Sequence, residues 1–309
     1  MDYGSVLSRA VQIGLKHPGL WLFGFFVALG AGSVGLLNPN IDFANVFTLN
    51  GAAERLDAVV QQLALAVPIF VALSLVGLLA QGCLIAGAQQ VADESRLSLS
   101  QALRLGASRF ISLLLLSTLL GLPIVLLAAP SLFVGLFALG ELLGAAGGTQ
   151  PERLGRAFVG LAVLCGVACI VLPYALFASG VQTLGERAII VESQGALGAL
   201  RRGTQLLFRE FIHVLLLGVI LFVILSTLGF LAGAVVSAPL GIITVLFAAD
   251  QSAAGIPTWV LLAVSLAGLL GQALLLAPVQ ACISVIWTLA YREFIRHDAP
   301  AVTSVPSVQ

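Results

Sequence analysis

The amino-acid sequence predicts an all-α integral membrane protein, folded as a polytopic bundle of six transmembrane helices. The first observation is composition, since 60% of the 309 residues are hydrophobic and 9% are charged. Charged residues make up about 25% of a typical soluble domain, and a soluble fold of this composition would expose more apolar surface than water tolerates. The second observation is a series of long apolar runs. The third is a set of three short amphipathic segments, each leading into such a run.

The amphipathic segments cover residues 5–20, 98–110 and 195–211 and predict helices that lie on a membrane surface. In the third segment the two faces are separated at helical spacing. One face carries Leu197, Leu200, Leu207, Phe208 and Phe211, and the opposite face carries Arg201, Arg202, Gln205 and Arg209. Such a helix places its apolar side in the acyl boundary and its arginines at lipid phosphates. We call the three segments the surface helices.

Six apolar runs predict the spans, because about 20 apolar residues cross the hydrocarbon core. They cover about 20–37, 58–88, 111–130, 157–184, 212–237 and 258–291. Two runs continue beyond one crossing, and we expect Pro123, Pro130 and Pro239 to kink or divide them. This leaves 131–143 as an apolar element at the far surface and 242–249 as a re-entrant or interfacial element. We expect Glu186 and Arg187 to return the fourth span to water.

The basic residues predict the orientation of the chain. Of its 14 lysines and arginines, Arg55, Arg153 and Arg156 fall on one side of the predicted membrane, and the other 11 fall on the side of the surface helices and both termini. By the positive-inside rule, both termini are cytoplasmic. The expected location is the inner (plasma) membrane, with multiple crossings.

An internal threefold repeat is predicted from a motif shared by the surface helices. Ala10 to Gly14, Ala102 to Gly106 and Ala199 to Gly203 each place Ala and Gly four residues apart, a spacing that lets one helix approach another closely. We expect each surface helix to lie against the cytoplasmic ends of the spans. The predicted membrane domain is 1–298, with units of about 1–94, 95–192 and 193–298, followed by a disordered cytoplasmic tail, 299–309. Chance is the alternative, since the chain holds 33 glycines.

Three stretches carry a resemblance to a known family. They are Arg9-Ala10 before Leu20-Trp21-Leu22-Phe23-Gly24, the run from Glu186 to Glu192, and the run from Ala199 to Gly203. On these residues the chain resembles poorly characterised bacterial six-span proteins related to the membrane domain of glycerophosphoryl diester phosphodiesterase. The resemblance implies a bundle with interfacial helices. It does not imply phosphodiesterase activity, because in that family the hydrolase is a separate soluble domain.

Residues for catalysis are not found in the sequence. Proton relays, ion-coupled pumps and voltage sensors need charges within the membrane, whereas the predicted spans hold none at depth apart from Glu141, expected near the outer surface. No HExxH or P-loop motif occurs. Cys165 and Cys169 are one helical turn apart, but no His or carboxylate accompanies them, so small buried residues are favoured over a metal site. We predict no enzyme activity, catalytic residue, cofactor or metal.

Two sets of residues are candidates for binding. The first set is basic and could bind anionic lipid. Its members are Arg104, Arg109, Arg201, Arg202 and Arg209. The favoured alternative is that these arginines are ordinary positive residues flanking the spans on the cytoplasmic side. The second set could line a polar cavity and consists of Tyr174, Gln272 and Gln280. The favoured alternative is that these side chains form hydrogen bonds between helices.

The leading functional hypothesis is a non-enzymatic membrane protein that organises lipid or a membrane protein complex. The alternative is a permease or lipid-handling transporter with a path among the helical hairpins. A continuous polar cavity reaching the middle of the bilayer favours the transporter, and a packed interior favours the organiser. The expected partners are membrane lipids and other membrane subunits, not nucleic acid, because the net charge is zero.

Overall fold

The computed structural model describes residues 3–33, 52–94, 97–145, 151–250 and 258–298, and within these ranges the chain is helical without strands. The predicted tail at 299–309 lies outside them. Three helices are amphipathic, namely α1 (Tyr3–Lys16), α4 (Leu99–Ser108) and α7 (Ala196–Arg209). The others are α2 (Gly19–Gly32), α3 (Ala52–Glu94), α5 (Phe110–Ala145), α6 (Pro151–Val191), α8 (Phe211–Asp250) and α9 (Thr258–Asp298).

These three amphipathic helices are the predicted surface helices, and each is followed at once by an apolar helix. The axes of α1 and α2 differ by 101°. Trp21 holds this corner, since its ring nitrogen donates to the carbonyl of Gly14 at 2.9 Å. At the other two corners the helix is interrupted only at Arg109 and at Glu210. The polar face of a surface helix cannot enter hydrocarbon, so the chain has to turn before its apolar run begins.

Several helices have the length and composition of membrane spans. In the described ranges, five helices are long and apolar enough to cross a membrane, and a sixth crossing follows if the bent pair of α1 and α2 counts as one span. The five stretches are Val67–Asp93, Phe110–Ala128, Phe158–Val191, Phe211–Val236 and Ala263–Arg296. The architecture is therefore that of an α-helical membrane protein.

The predicted division of the third and fifth spans is wrong. Helix α5 continues through Pro123 and Pro130, and α8 continues through Pro239, so 131–143 and 242–249 are not separate elements. A proline removes one backbone hydrogen bond, whereas a break in hydrocarbon leaves several backbone groups unpaired. The continuous helix is the less costly solution. At 36 residues, α5 is longer than one crossing requires.

The core lies where the C-terminal parts of α3, α6 and α9 meet. Residues 82–88 of α3, 184–190 of α6 and 284–288 of α9 are all buried, so each helix is covered on every side at this level. Toward their other ends the helices are unequally covered. In its most apolar window α9 is 56% buried and α6 only 6%. Helix α9 is therefore central, whereas the most apolar window of α6 is largely uncovered by the protein.

Candidate functional site

The surface helices dock through the residues of the shared motif. Ala10, Ala102 and Ala199 are each 0% exposed. A Cβ atom added to Gly14 would lie 2.6 Å from the sulfur of Cys282 on α9. On Gly106 it would lie 2.6 Å from the backbone nitrogen of Cys83 on α3, and on Gly203 it would lie 2.8 Å from the carbonyl oxygen of Val181 on α6. The predicted close packing of these helices against spans is confirmed.

Each surface helix packs on the last long helix of another unit of the chain. Helix α4 packs on α3 and α7 packs on α6, in each case the helix before it in sequence, whereas α1 packs on α9 from the other end of the chain. The docking contacts fall at residue 83 of α3, residues 181–185 of α6 and residue 282 of α9. Because these three regions meet in the core, all three surface helices lie at one end of the bundle.

The candidate basic residues have different surroundings. Arg104 and Arg201 are exposed on α4 and α7, and Arg109 is half-buried at the end of α4. Arg209 is exposed at the end of α7, with an interaction of its own in the protein. The nitrogen Nε of Arg202 lies 3.5 Å from a carboxylate oxygen of Glu192, so this residue is part of an intramolecular ion pair. The basic set therefore spans two surface helices.

A buried polar cluster lies inside the core, at the level of α7. Glu186 is 5% exposed and Arg187 is 1% exposed. The amide of Gln81 on α3 donates to one carboxylate oxygen of Glu186 at 3.2 Å, and that of Gln182 donates to the other at 2.9 Å. Hydrogen bonds from neutral donors compensate the carboxylate for the water it loses on burial.

The expectation that Glu186 and Arg187 return the chain to water is therefore wrong. Helix α6 continues to Val191, and Gly203 of α7 packs against Gly185, so α7 covers this part of the helix. The guanidinium of Arg187 donates to the carbonyl of Thr183 and lies 5.9 Å from the centre of the Trp287 ring. Its nitrogen Nε is buried without a hydrogen-bond partner in the described part of the chain.

A second polar cluster joins the corner between α6 and α7 to α9. The hydroxyl of Tyr291 on α9 donates to Glu192 at 2.7 Å, and the amide of Gln194 donates to the other oxygen of that carboxylate at 2.7 Å. Arg202 reaches the same carboxylate from α7. The chain turns sharply at Ser193, whose φ is 57°. Glu192 thus links three elements, and sequence periodicity did not single it out.

The hydrogen bonds of Glu186 connect α6 to α3. Glu186 faces two amides rather than a second carboxylate, so it is not half of an acid and base pair of the kind that hydrolases use. Among the residues that the structure describes, no group of three or more His, Cys, Asp or Glu side chains is placed to hold a metal ion.

Two cavities open between the helices. A groove of about 340 Å³ lies between α2, α3 and α4, and its walls are almost entirely apolar, including Leu22, Phe26, Leu79 and Leu103. A pocket of about 210 Å³ lies between α2, α8 and α9, and both Gln272 and Gln280 line it. Tyr174 is elsewhere, between α6 and α5, where its hydroxyl donates to the carbonyl of Leu120 at 3.4 Å. The structure thus brings together two of the three candidate cavity residues.

Comparison with known proteins identifies a family without an assigned activity. The model of the family described as Domain of unknown function (DUF7847) matches residues 1–294. This match gives no link to glycerophosphoryl diester phosphodiesterase. No curated protein and no solved structure matches the chain. Because the family model covers almost the whole sequence, the chain belongs to the DUF7847 family.

Proposed function

We propose that this chain is a non-enzymatic, multi-pass protein of the inner (plasma) membrane that organises lipid at one leaflet. The observation that carries the proposal is the docking of all three amphipathic helices at one end of the bundle, through the buried Ala10, Ala102 and Ala199. Docked in this way, the helices hold their polar faces outward at a fixed depth. A rigid ring of surface helices suits a protein that orders the lipids around it.

The proposed topology has six crossings, with both termini in the cytoplasm. Each unit consists of a surface helix, an opening span and a closing span, in the order α1–α2–α3, α4–α5–α6 and α7–α8–α9. The first crossing in this scheme is α2, which has 14 residues in the described part of the chain. The unit boundaries at about 94 and 192 are supported by the positions of the three closing helices, which meet in the core.

Charge and shape both support lipid as the ligand. Arg104 and Arg201 are exposed on the surface helices, and each basic residue near an anionic leaflet contributes about 1 kcal/mol to attraction. The apolar groove beside α4 suits an acyl chain, because Ser100 and Cys83 are the only side chains other than hydrocarbon among its described lining residues. Organising partner subunits is the other form of this proposal, and co-purification of a defined complex in mild detergent tests it.

The packing of the core supports an organiser over a transporter. At the level of the surface helices, Leu84, Leu184, Arg187 and Tyr291 are among the largest fully buried side chains. A solute would have to pass this layer. The observation that favours a permease or lipid-handling transporter is the pocket that contains Gln272 and Gln280, so this second function is kept as the alternative.

Lipid retention by the purified chain tests the proposal. In native mass spectrometry with phosphatidylglycerol, we expect Arg104→Gln with Arg201→Gln to reduce retention about 30-fold, since two charges at about 1 kcal/mol each give about 2 kcal/mol. Arg296→Gln is the matched control, because Arg296 is 80% exposed and does not lie on a surface helix. Equal retention by the double variant and the control would refute the lipid proposal.

A further inference from the structure

The pocket between α2, α8 and α9 contains two amide side chains that have no part in the proposed organisation of lipid by the surface helices. Its walls are apolar, with Ala28, Leu225 and Leu276 among them, and its two amide side chains are Gln272 and Gln280. No described residue forms a hydrogen bond with either amide. An amide facing an apolar space without a partner is costly, so a ligand that supplies hydrogen bonds there gains affinity.

The two amides lie at different depths. Gln280 is two residues from Cys282, against which the surface helix α1 docks at Gly14. Gln272 lies eight residues before Gln280 in α9, which places it about 12 Å farther from this docking point at 1.5 Å per residue. With α1 at the membrane surface, as proposed above, the pocket runs from the interface toward the middle of a core about 30 Å thick. Only this depth rests on the proposed topology.

The lining determines which ligands fit. Among the lining residues that the structure describes none is charged, so a phosphate group there would lose its water without a compensating charge. Each amide both donates and accepts hydrogen bonds, which suits carbonyl and hydroxyl oxygens. The volume of about 210 Å³ is below that of sites for whole drug-sized ligands. A headgroup with its tail outside in the bilayer is the better match.

We infer that this pocket binds the uncharged headgroup of a membrane lipid, through carbonyl or hydroxyl oxygens that bond to Gln272 and Gln280. Two sources share this chemistry, an isoprenoid quinone and a diacylglycerol. The inference is independent of the arginines on the surface helices, so either proposal can fail while the other stands.

Gly229 provides a direct way to fill the pocket. It lines the pocket, and a Cβ atom added to it would meet nothing within 4 Å. A leucine at this position therefore has open space around its Cβ atom and occupies part of the pocket that Gly229 lines. Gly218 is the matched control. It lies on the same helix, a Cβ there also meets nothing within 4 Å, and it is not among the lining residues.

The experiment measures retention of three probes by the purified full-length chain in nanodiscs, read by native mass spectrometry. The probes are a short-chain quinone, diacylglycerol and phosphatidylglycerol, supplied at equal concentration. We expect the chain to retain one of the two neutral probes through this pocket, and the probe retained assigns the source. Gly229→Leu should reduce that retention about tenfold, and Gly218→Leu should leave it unchanged.

A second variant tests the role of the amides without filling the pocket. Gln272→Leu with Gln280→Leu keeps the side-chain volume, and loss of each hydrogen bond should weaken retention about fivefold. Three outcomes overturn the inference: unchanged neutral-lipid retention in Gly229→Leu, unchanged neutral-lipid retention in the double glutamine variant, or a loss of phosphatidylglycerol retention in Gly229→Leu as large as that of the neutral probe.

Discussion

Replacement of Gly203 by alanine tests the docking of the surface helices most sharply. The added Cβ atom would lie 2.8 Å from the carbonyl oxygen of Val181 and 3.1 Å from the backbone nitrogen of Gly185. Both are backbone atoms of α6, so neither can move aside as a flexible side chain does. We expect α7 to be displaced from α6.

The magnitude follows from two opposing effects. Alanine is favoured over glycine within a helix by about 1 kcal/mol, while overpacking of a tight contact costs about 1–3 kcal/mol. Gly198→Ala in the same helix is the control, because the Cβ atom there would meet only the side chain of Gln194, at 3.3 Å. The control gains the first effect without the second. The two variants should therefore differ by about 1–3 kcal/mol in the local stability of α7.

Hydrogen exchange of the α7 amides measures this difference. Exchange through local opening reports its free energy, and about 1.4 kcal/mol equals a tenfold change in rate. We expect the α7 amides to exchange about 5- to 150-fold faster in Gly203→Ala than in Gly198→Ala. Equal protection in the two variants would show that α7 does not pack on α6 through Gly203.

Two further substitutions test the buried polar clusters. Glu186→Ala removes the acceptor of the hydrogen bonds from Gln81 and Gln182 and should lower stability toward denaturant by about 1–3 kcal/mol. Arg292→Ala breaks only the exposed pair with Asp93 and should cost less, about 0–1 kcal/mol. Similar losses in both variants would contradict the burial of Glu186. Tyr291→Phe removes a 2.7 Å hydrogen bond to the carboxylate of Glu192 and should cost about 1.5–3 kcal/mol of stability in thermal unfolding. Tyr174→Phe loses only a 3.4 Å hydrogen bond to a carbonyl and should cost less in the same assay. If Tyr174→Phe is the more damaging, the link from α9 to Glu192 is not formed.

The surface helices are the part of the fold that the sequence predicts well. Residues 98–110 and 195–211 were expected, and the helices cover Leu99–Ser108 and Ala196–Arg209. The prediction succeeds because amphipathicity at helical spacing is a local property. The docking face was also predictable, because Ala102 and Gly106 are small residues four apart, and small residues allow close approach.

The buried polar clusters depend on tertiary contacts and were beyond local patterns. Glu186 and Arg187 resemble the charged end of a span, yet one of the two hydrogen-bond donors to Glu186 is Gln81, which is 105 residues away. At most helix ends a charged side chain is hydrated by water. Here a hydrogen-bond donor on the neighbouring helix α3, the amide of Gln81, takes the place of water. The one sequence signal was the run from Glu186 to Glu192, which contains both cluster carboxylates.

Proline was overvalued as a signal of helix ends. Pro123, Pro130 and Pro239 lie within continuous helices, because an apolar surrounding penalises a broken backbone more than the loss of a single hydrogen bond. Among the candidate cavity residues, Gln272 and Gln280 both lie on α9. Their spacing of eight residues in one helix therefore predicts that they share a face. The position of Tyr174 depends on how α6 packs against α5, which the spacing of residues cannot provide.

Labelling of single cysteines with a membrane-impermeant maleimide tests most directly whether the surface helices share one face of the membrane. The four native cysteines are replaced by alanine, and one cysteine is introduced on each surface helix at an exposed position, by Ser8→Cys, Ser100→Cys or Gln205→Cys. The account predicts that all three sites react from the cytoplasmic side in inverted vesicles and that none reacts from outside intact cells. Reaction of any two sites from opposite sides would contradict it.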